Sequence, residues 1–392
     1  MQLGKRTLSN GLRGMLVKAF TKLSNPATLP TNTGRGAAFS PDGNYLAIAH
    51  VSSPYITIYS RSGNVFTKLS NPATLPTNTG YGVTFSPDGD YLAVAHTSSP
   101  YIAIYSRSGN VFTKLSNPAT LPTGTGYGAA FSPDGDYLAV AHNTSPYVTI
   151  YSRSGDVFTK LSNPATLPTG IGFGTAFSPD GNYLAVVHDT SPYVTIYSRS
   201  GDVFTKLSNP ATLPTGTGFG AAFSPDGNYL AIAHVSSPYI TIYSRSGNVF
   251  TKLSNPATLP TNTGYGVTFS PDGDYLAVAH TSSPYIAIYS RSGNVFTKLS
   301  NPATLPTGTG YGAAFSPDGN YLAVAHISFP YIAIYSRSGN VFTKLLNPAT
   351  SPTNAGFGVT FSPDGNYLAV AHDGSLYVTI YKFGKVPITT LV

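Results

Sequence analysis

The chain has 392 residues, of which 9% are charged, and it contains no Cys and no Trp, which excludes disulfides, thiolate metal sites and cysteine nucleophiles. Its net charge of +7 is not spread through the chain: all 15 acidic residues are Asp inside a repeated region, where eight Lys and seven Arg balance them, and the surplus is Lys5, Arg6, Arg13, Lys18, Arg35, Lys382 and Lys385. A nucleic-acid groove needs clustered cations with interleaved aromatics, a membrane span needs roughly 18 apolar residues in a row and a signal peptide needs a continuous apolar core; none of these patterns is present, so a soluble chain with no nucleic-acid or membrane partner and no visible cellular address is expected.

In chain order, residues 1–14 read as a basic arm and residues 15–392 as a single repeat domain. Met15–Leu23 reads as a strand with no sheet before it. The element Phe-Thr-Lys-Leu-Ser-Asn-Pro-Ala-Thr begins at Phe20 and restarts at Phe66, Phe112, Phe158, Phe204, Phe250, Phe296 and Phe342, a period of 46. Repeats of about 40 to 50 residues with alternating apolar positions and regular turn residues mark the four-stranded blades of a propeller.

The second repeat shows the strands. Gly82–Phe85 is followed by the turn Ser86-Pro87-Asp88-Gly89, where Pro presets φ and Gly accepts a positive one. Tyr91–His96 is a second strand, Thr97–Pro100 a turn, and Tyr101–Tyr105 a third strand that Ser106-Arg107-Ser108-Gly109 closes. Val111–Leu115 is the fourth, and a Pro/Thr/Gly loop leads onward. No such sheet can bury its two apolar faces alone, so stacking in a ring is implied: an all-β, closed eight-bladed propeller of four antiparallel strands per blade.

Phe-Ser-Pro-Asp-Gly, Tyr-Leu-Ala-Val-Ala-His and Tyr-Val-Thr-Ile-Tyr resemble the strands of WD40 and related YVTN-type propellers, over residues 20 to about 387. The departures are as telling as the match: Gly-His before the first strand and Trp-Asp after the third are absent, so the hydrogen-bond network of that family does not carry over. In WD40 proteins the N-terminal strand completes the last blade, which assigns that place to Met15–Leu23; Val386–Leu391 competes for it, with Pro387 suited only to an edge.

Gly36–Gly135 is identical to Gly220–Gly319, an offset of 184 or four periods, which points to highly identical, recently amplified blades. Differences between repeats collect in the long loop (Asn32, Gly124, Ile171, Ala355), at the residue that follows it, and just after a recurring His. In the WD40-like strand order these share one face, a candidate ligand face, although exposed loops also drift faster than cores.

Within Gly-x-Gly at the start of each innermost strand stand Tyr81, Tyr127, Phe173, Phe219, Tyr265, Tyr311 and Phe357, with Arg35 in the first repeat. They are the candidate ligand-binding residues; the alternative is that they wedge between blades as core. His50, His96, His142, His188, His234, His280, His326 and His372 occupy one equivalent position, one per blade and too far apart to share a metal, so a structural hydrogen bond to the neighbouring loop is expected of each. The Asp of Pro-Asp-Gly and the Arg of Ser-Arg-Ser-Gly are expected to meet on the opposite face as weak turn contacts.

No catalytic residue, metal site or cofactor is assigned, because the same few groups recur eight times without the asymmetry that catalysis requires. The expected function is a non-enzymatic scaffold, a monomeric ring recognising a glycan or protein partner through one loop face. The alternatives are a rigid part of a bacterial or phage surface or tail assembly, docked by the basic arm, and a propeller hydrolase or lactonase.

Overall fold

The computed structural model describes residues 16–387, which form eight four-stranded antiparallel sheets. The basic arm at 1–14 lies outside the described residues. In the first blade the strands are Gly34–Phe39, Tyr45–His50, Ile56–Ser62 and Val65–Lys68, paired in chain order from the axis outward. Six further blades repeat this pattern, and the eighth is built from Gly356–Phe361, Tyr367–His372, Val378–Pro387 and Leu16–Lys22. No helix among the described residues is long and apolar enough to cross a membrane.

The burial of each strand follows from its place in the sheet. In the second strands all six residues, Tyr-Leu-Ala-Val-Ala-His in most blades, are buried, since a neighbouring blade covers each face. This is why they read as continuous apolar runs rather than as alternating ones. The outer strand alternates instead: Phe112 is buried and Val111 is 63% exposed. Eight core clusters result, each shared by two blades; Tyr45, Ala47, Ile56 and Ile58 of the first blade meet Phe85, Leu92, Val94, Tyr105 and Phe112 of the second. The cluster of Phe39, Leu46 and Tyr59 with Tyr367, Ala369 and Ile380 joins the first blade to the last.

The N-terminal strand closes the ring. Val17 pairs with Val386, Phe20 with Phe383 and Lys22 with Tyr381, and the Phe20 ring lies 5.7 Å from Tyr321 and 4.9 Å from Phe383. The competing assignment of Val386–Leu391 as the closing strand is therefore corrected: Val386 and Pro387 extend the third strand, on which the N-terminal strand pairs, and the rest of that segment lies outside the described residues.

The third strands also run further than Tyr101–Tyr105 implied. Ile102–Ser108 is continuous, so Ser106, Arg107 and Ser108 are ladder residues and the hairpin turn is Gly109-Asn110, with φ +55° at Gly109. A positive φ at the first turn residue is the II′ pattern, whose twist suits a right-twisted hairpin.

This shift places each arginine at a blade boundary. Arg107 donates from Nε to the Gly89 carbonyl of its own blade at 2.7 Å, lies 4.7 Å from the Tyr45 ring of the preceding blade, and pairs with Asp42 of that blade at 3.5 Å. Equivalent pairs recur from Arg153–Asp88 to Arg337–Asp272, and Arg61–Asp364 spans the closure of the ring. The Asp and Arg thus meet as expected, but across a blade boundary and not within one turn: the arginine side chain is only about 14% exposed and clasps two blades together. At the boundary of the last two blades Phe383 stands in the arginine's place and packs 4.5 Å from Tyr321.

Candidate functional site

The long loops, which run from the fourth strand of one blade to the first strand of the next, and the turns after the second strands share one face, as the strand order implied. Thr31 Oγ1 donates to the Ser53 carbonyl at 2.7 Å, and the Tyr59 hydroxyl donates to the Thr28 carbonyl at 3.1 Å, which ties each long loop to the blade it enters. The turn itself holds a cis Ser53–Pro54 bond and Tyr55 at φ +65°, repeated at the same place in six further blades.

Where the long loop meets the first strand, the Gly-x-Gly residues form a bulge. Gly126 pairs with His142 and Gly128 with Ala141, leaving Tyr127 as the extra residue between them. Both glycines answer to backbone crowding. A Cβ on Gly126 would come within 2.7 Å of the Tyr101 carbonyl oxygen of the preceding blade, and one on Gly220 within 2.6 Å of the Tyr265 oxygen of the following blade. The glycines are thus what allows adjacent blades to approach at the axis.

The approach brings the intervening side chains into mutual contact around the axis. Ring centroids lie 5.5 Å apart for Tyr81–Tyr127, 5.6 Å for Tyr127–Phe173, 5.3 Å for Phe173–Phe219, 4.9 Å for Phe219–Tyr265 and Tyr265–Tyr311, and 5.5 Å for Tyr311–Phe357. Arg35 completes the circle, with its Cζ 5.0 Å from the Phe357 centroid and 5.9 Å from that of Tyr81. The result is an annulus of seven aromatics and one guanidinium on the loop face. The aromatics are half-buried, and none belongs to an inter-blade core cluster. The reading of these residues as core wedges is not what the structure places there; the rings cover one another instead. Burial and the neighbouring Tyr81 push the Tyr127 phenol above its ordinary pKa, and burial with Tyr311 does the same for Tyr265.

The histidines lie beneath this face and are fully buried. Nε2 of His50, His142, His188, His234 and His372 lies 2.9–3.0 Å from the hydroxyl of Thr57, Thr149, Thr195, Thr241 and Thr379, respectively. That partner lies on the adjacent third strand, and the loop side supplies others: Nδ1 of His280 lies 3.4 Å from the Thr261 hydroxyl of the long loop, and Nδ1 of His372 lies 2.8 Å from the Asp373 carbonyl in the following turn. His96, His280 and His326 face Ala103, Ala287 and Ala333 at that position, and their Nε2 atoms have no partner. Burial lowers the pKa of these imidazoles, to about 4 for His50 and His142. Among the described residues no three His, Asp or Glu side chains converge closely enough to hold a metal.

Comparison with known proteins agrees with this architecture. The family model "Lactonase, 7-bladed beta-propeller" matches residues 159–309, and that for the "WD domain, G-beta repeat" matches residues 356–378. The chain is an eight-bladed β-propeller, similar in part to both families. No curated protein sequence matches it. Among solved structures, this propeller is similar to Sqt1 from Chaetomium thermophilum, at 15% identity over 94% of this chain and 100% of that one, with a TM-score of 0.68. It is similar also to Sqt1 bound to the N-terminus of the ribosomal protein L10, at 16% identity over 94% and 100% with a TM-score of 0.69. A putative 6-phosphogluconolactonase from Bacteroides uniformis matches at 18% identity over 79% of this propeller and 97% of its own chain, with a TM-score of 0.60. At these identities the likeness is one of fold.

The sequence reading missed two features of the site. The third-strand threonines are signalled only by the Thr/Ala variation at 57, 103, 149 and their equivalents. The link across the ring closure, Thr33 Oγ1 to Asp373 at 2.6 Å, joins residues 340 positions apart and has no local signature.

Proposed function

We propose that this propeller is a non-enzymatic binding scaffold whose loop face receives a protein segment over the aromatic annulus. The observation that carries this reading is the annulus itself: half-buried aromatics in a preformed circle, clear of the packed core, offer large apolar area at little ordering cost, as interface anchors do. The mutual contact of the rings favours protein over glycan. Sugar stacking uses an open ring face, whereas here the neighbours at 4.9–5.6 Å lean over those faces and leave edges and tyrosyl hydroxyls. The Sqt1 structure with the L10 N-terminus is a propeller that binds a protein segment, and it supports the reading by analogy of fold.

The test is a peptide-display selection beside a glycan array, run on the wild type and on a variant with Tyr81, Tyr127, Tyr265 and Tyr311 changed to Ser. Selected peptides that the variant no longer holds, with its melting temperature kept, are expected. Binding confined to the glycan array would replace the protein reading with a carbohydrate one. Silence on both would leave the rigid-disc role as the better account.

A further inference from the structure

Seven of the eight arginines among the described residues are paired with Asp on the face opposite the annulus. Arg35 also lies over aromatic rings but differs in its place and its pairing. It stands on the loop face, it is exposed, and it forms no ion pair among the described residues. The carboxylate that feels its charge, Asp373, is already engaged by the Thr33 hydroxyl at 2.6 Å and the Gly374 N–H at 2.9 Å. Two aromatic faces hold the guanidinium in the circle without using its N–H donors.

We infer that the annulus takes one carboxylate per ring, supplied by a protein segment and held at Arg35. This rests on the reading of the loop face as a protein-binding surface and specifies its chemistry. A guanidinium presents a planar fork of donors that matches a carboxylate bidentately, and partial cover by Phe357 and Tyr81 weakens competition from water. The flanking rings supply apolar contact for a group next to the carboxylate, so the preferred segment pairs an acid with an aromatic or aliphatic neighbour. The stoichiometry is set by the sequence. The offset of 184 that relates the two identical stretches makes Phe219 the counterpart of Arg35, so the ring carries this site once.

The test uses the full chain and fluorine NMR titration with para-fluorobenzoate, with para-fluorobenzamide as its uncharged counterpart. The wild type is expected to prefer the benzoate by roughly tenfold or more, the scale of a charge-assisted hydrogen-bonded pair. Arg35→Phe, which installs the residue its counterpart sector already carries, is expected to fold normally and lose the preference. Phe219→Arg is expected to create a second site of the same selectivity. Two tyrosine-containing peptides then identify the source, one whose only acid is its C-terminal carboxylate and one amidated with a single internal Asp. Arg35-dependent binding of either peptide supports the inference and names the source. Equal benzoate occupancy in the wild type and Arg35→Phe, no occupancy in either, or no Arg35-dependent binding of either peptide overturns it. If display-selected peptides still require the tyrosines while charge selectivity is absent, the inference fails and the scaffold reading stands.

Discussion

Each histidine sits in one of two environments, with threonine or with alanine at the facing third-strand position, and the repeat supplies both in a nearly constant setting. Ala103→Thr gives His96 the partner that Thr57 gives His50, and it is expected to stabilise the ring by about 1 kcal/mol, read as a raised melting temperature. Thr149→Ala is expected to cost a similar amount. The buried imidazoles also set the acid limit of the fold. Burial depresses His50, His96, His142, His188, His234, His280 and His326 to about 4 from an unfolded value of 6.5, so between these values the unfolded chain binds more protons than the folded one. Their contribution is therefore complete above 6.5 and is lost as pH falls toward 4, at roughly 1.4 kcal/mol per unit for each. The carboxylates of the Pro-Asp-Gly turns act lower. Against the cost of burial, the Ser40 hydroxyl, the Asn44 N–H and Arg107 hold Asp42 below 3.8, so its contribution persists until pH falls beneath that value. A circular-dichroism titration is expected to show cooperative unfolding between pH 6.5 and 4; a fold that persists below pH 4 would contradict the buried, neutral state of the ring. The position of the histidines was legible from the period alone, but the threonine partner was not, because the bond crosses two strands and the two residues are seven apart.

Among the elements, the third strand and the turn before it hold neighbouring blades in register. Arg153 joins the Gly135 carbonyl, the Tyr91 ring and Asp88 across one boundary, and Arg153→Ala is expected to cost about 2 kcal/mol by chemical denaturation. Gly220→Ala, whose new Cβ would sit 2.6 Å from the Tyr265 oxygen, is expected to destabilise by roughly 1–3 kcal/mol through overpacking of backbone on backbone. Strand number, order and approximate extent were readable because a Pro-Asp-Gly turn punctuates every repeat and a Ser-Gly turn followed by Asn or Asp punctuates seven of the eight. What was not readable was contact between repeats. A clasp that joins Arg107 of one blade to Asp42 of the one before is invisible in a single repeat, and reading Ser-Arg-Ser-Gly as one turn hid the strand that carries the arginine. The annulus was legible as a set of aromatics in a glycine setting but not as a circle, since neighbouring members lie 46 residues apart.

For the molecule as a whole, closure by Leu16–Lys22 makes the last blade, and with it the ring, depend on a strand that lies far from it in sequence. A four-blade fragment of about residues 15–203 lacks a fourth strand at one end and has a spare one at the other, so two copies are expected to exchange strands and close an eight-bladed dimer. Light scattering that finds only folded monomer would refute this. Phe20→Ala in the full chain is expected to cost about 3–5 kcal/mol, because the ring lies among Tyr321, Phe361 and Phe383. The clasps and the annulus also give the two faces of the disc different rotational order. On the clasp side seven boundaries are chemically alike, so a flat partner laid there finds nearly the same footing after each eighth of a turn. On the annulus side the tyrosines repeat after half a turn and Arg35 does not repeat at all. Anything docked over the centre on that side meets an index mark and arrives at one azimuth, so a disc assembled from near-copies can still tell its partner which way to point.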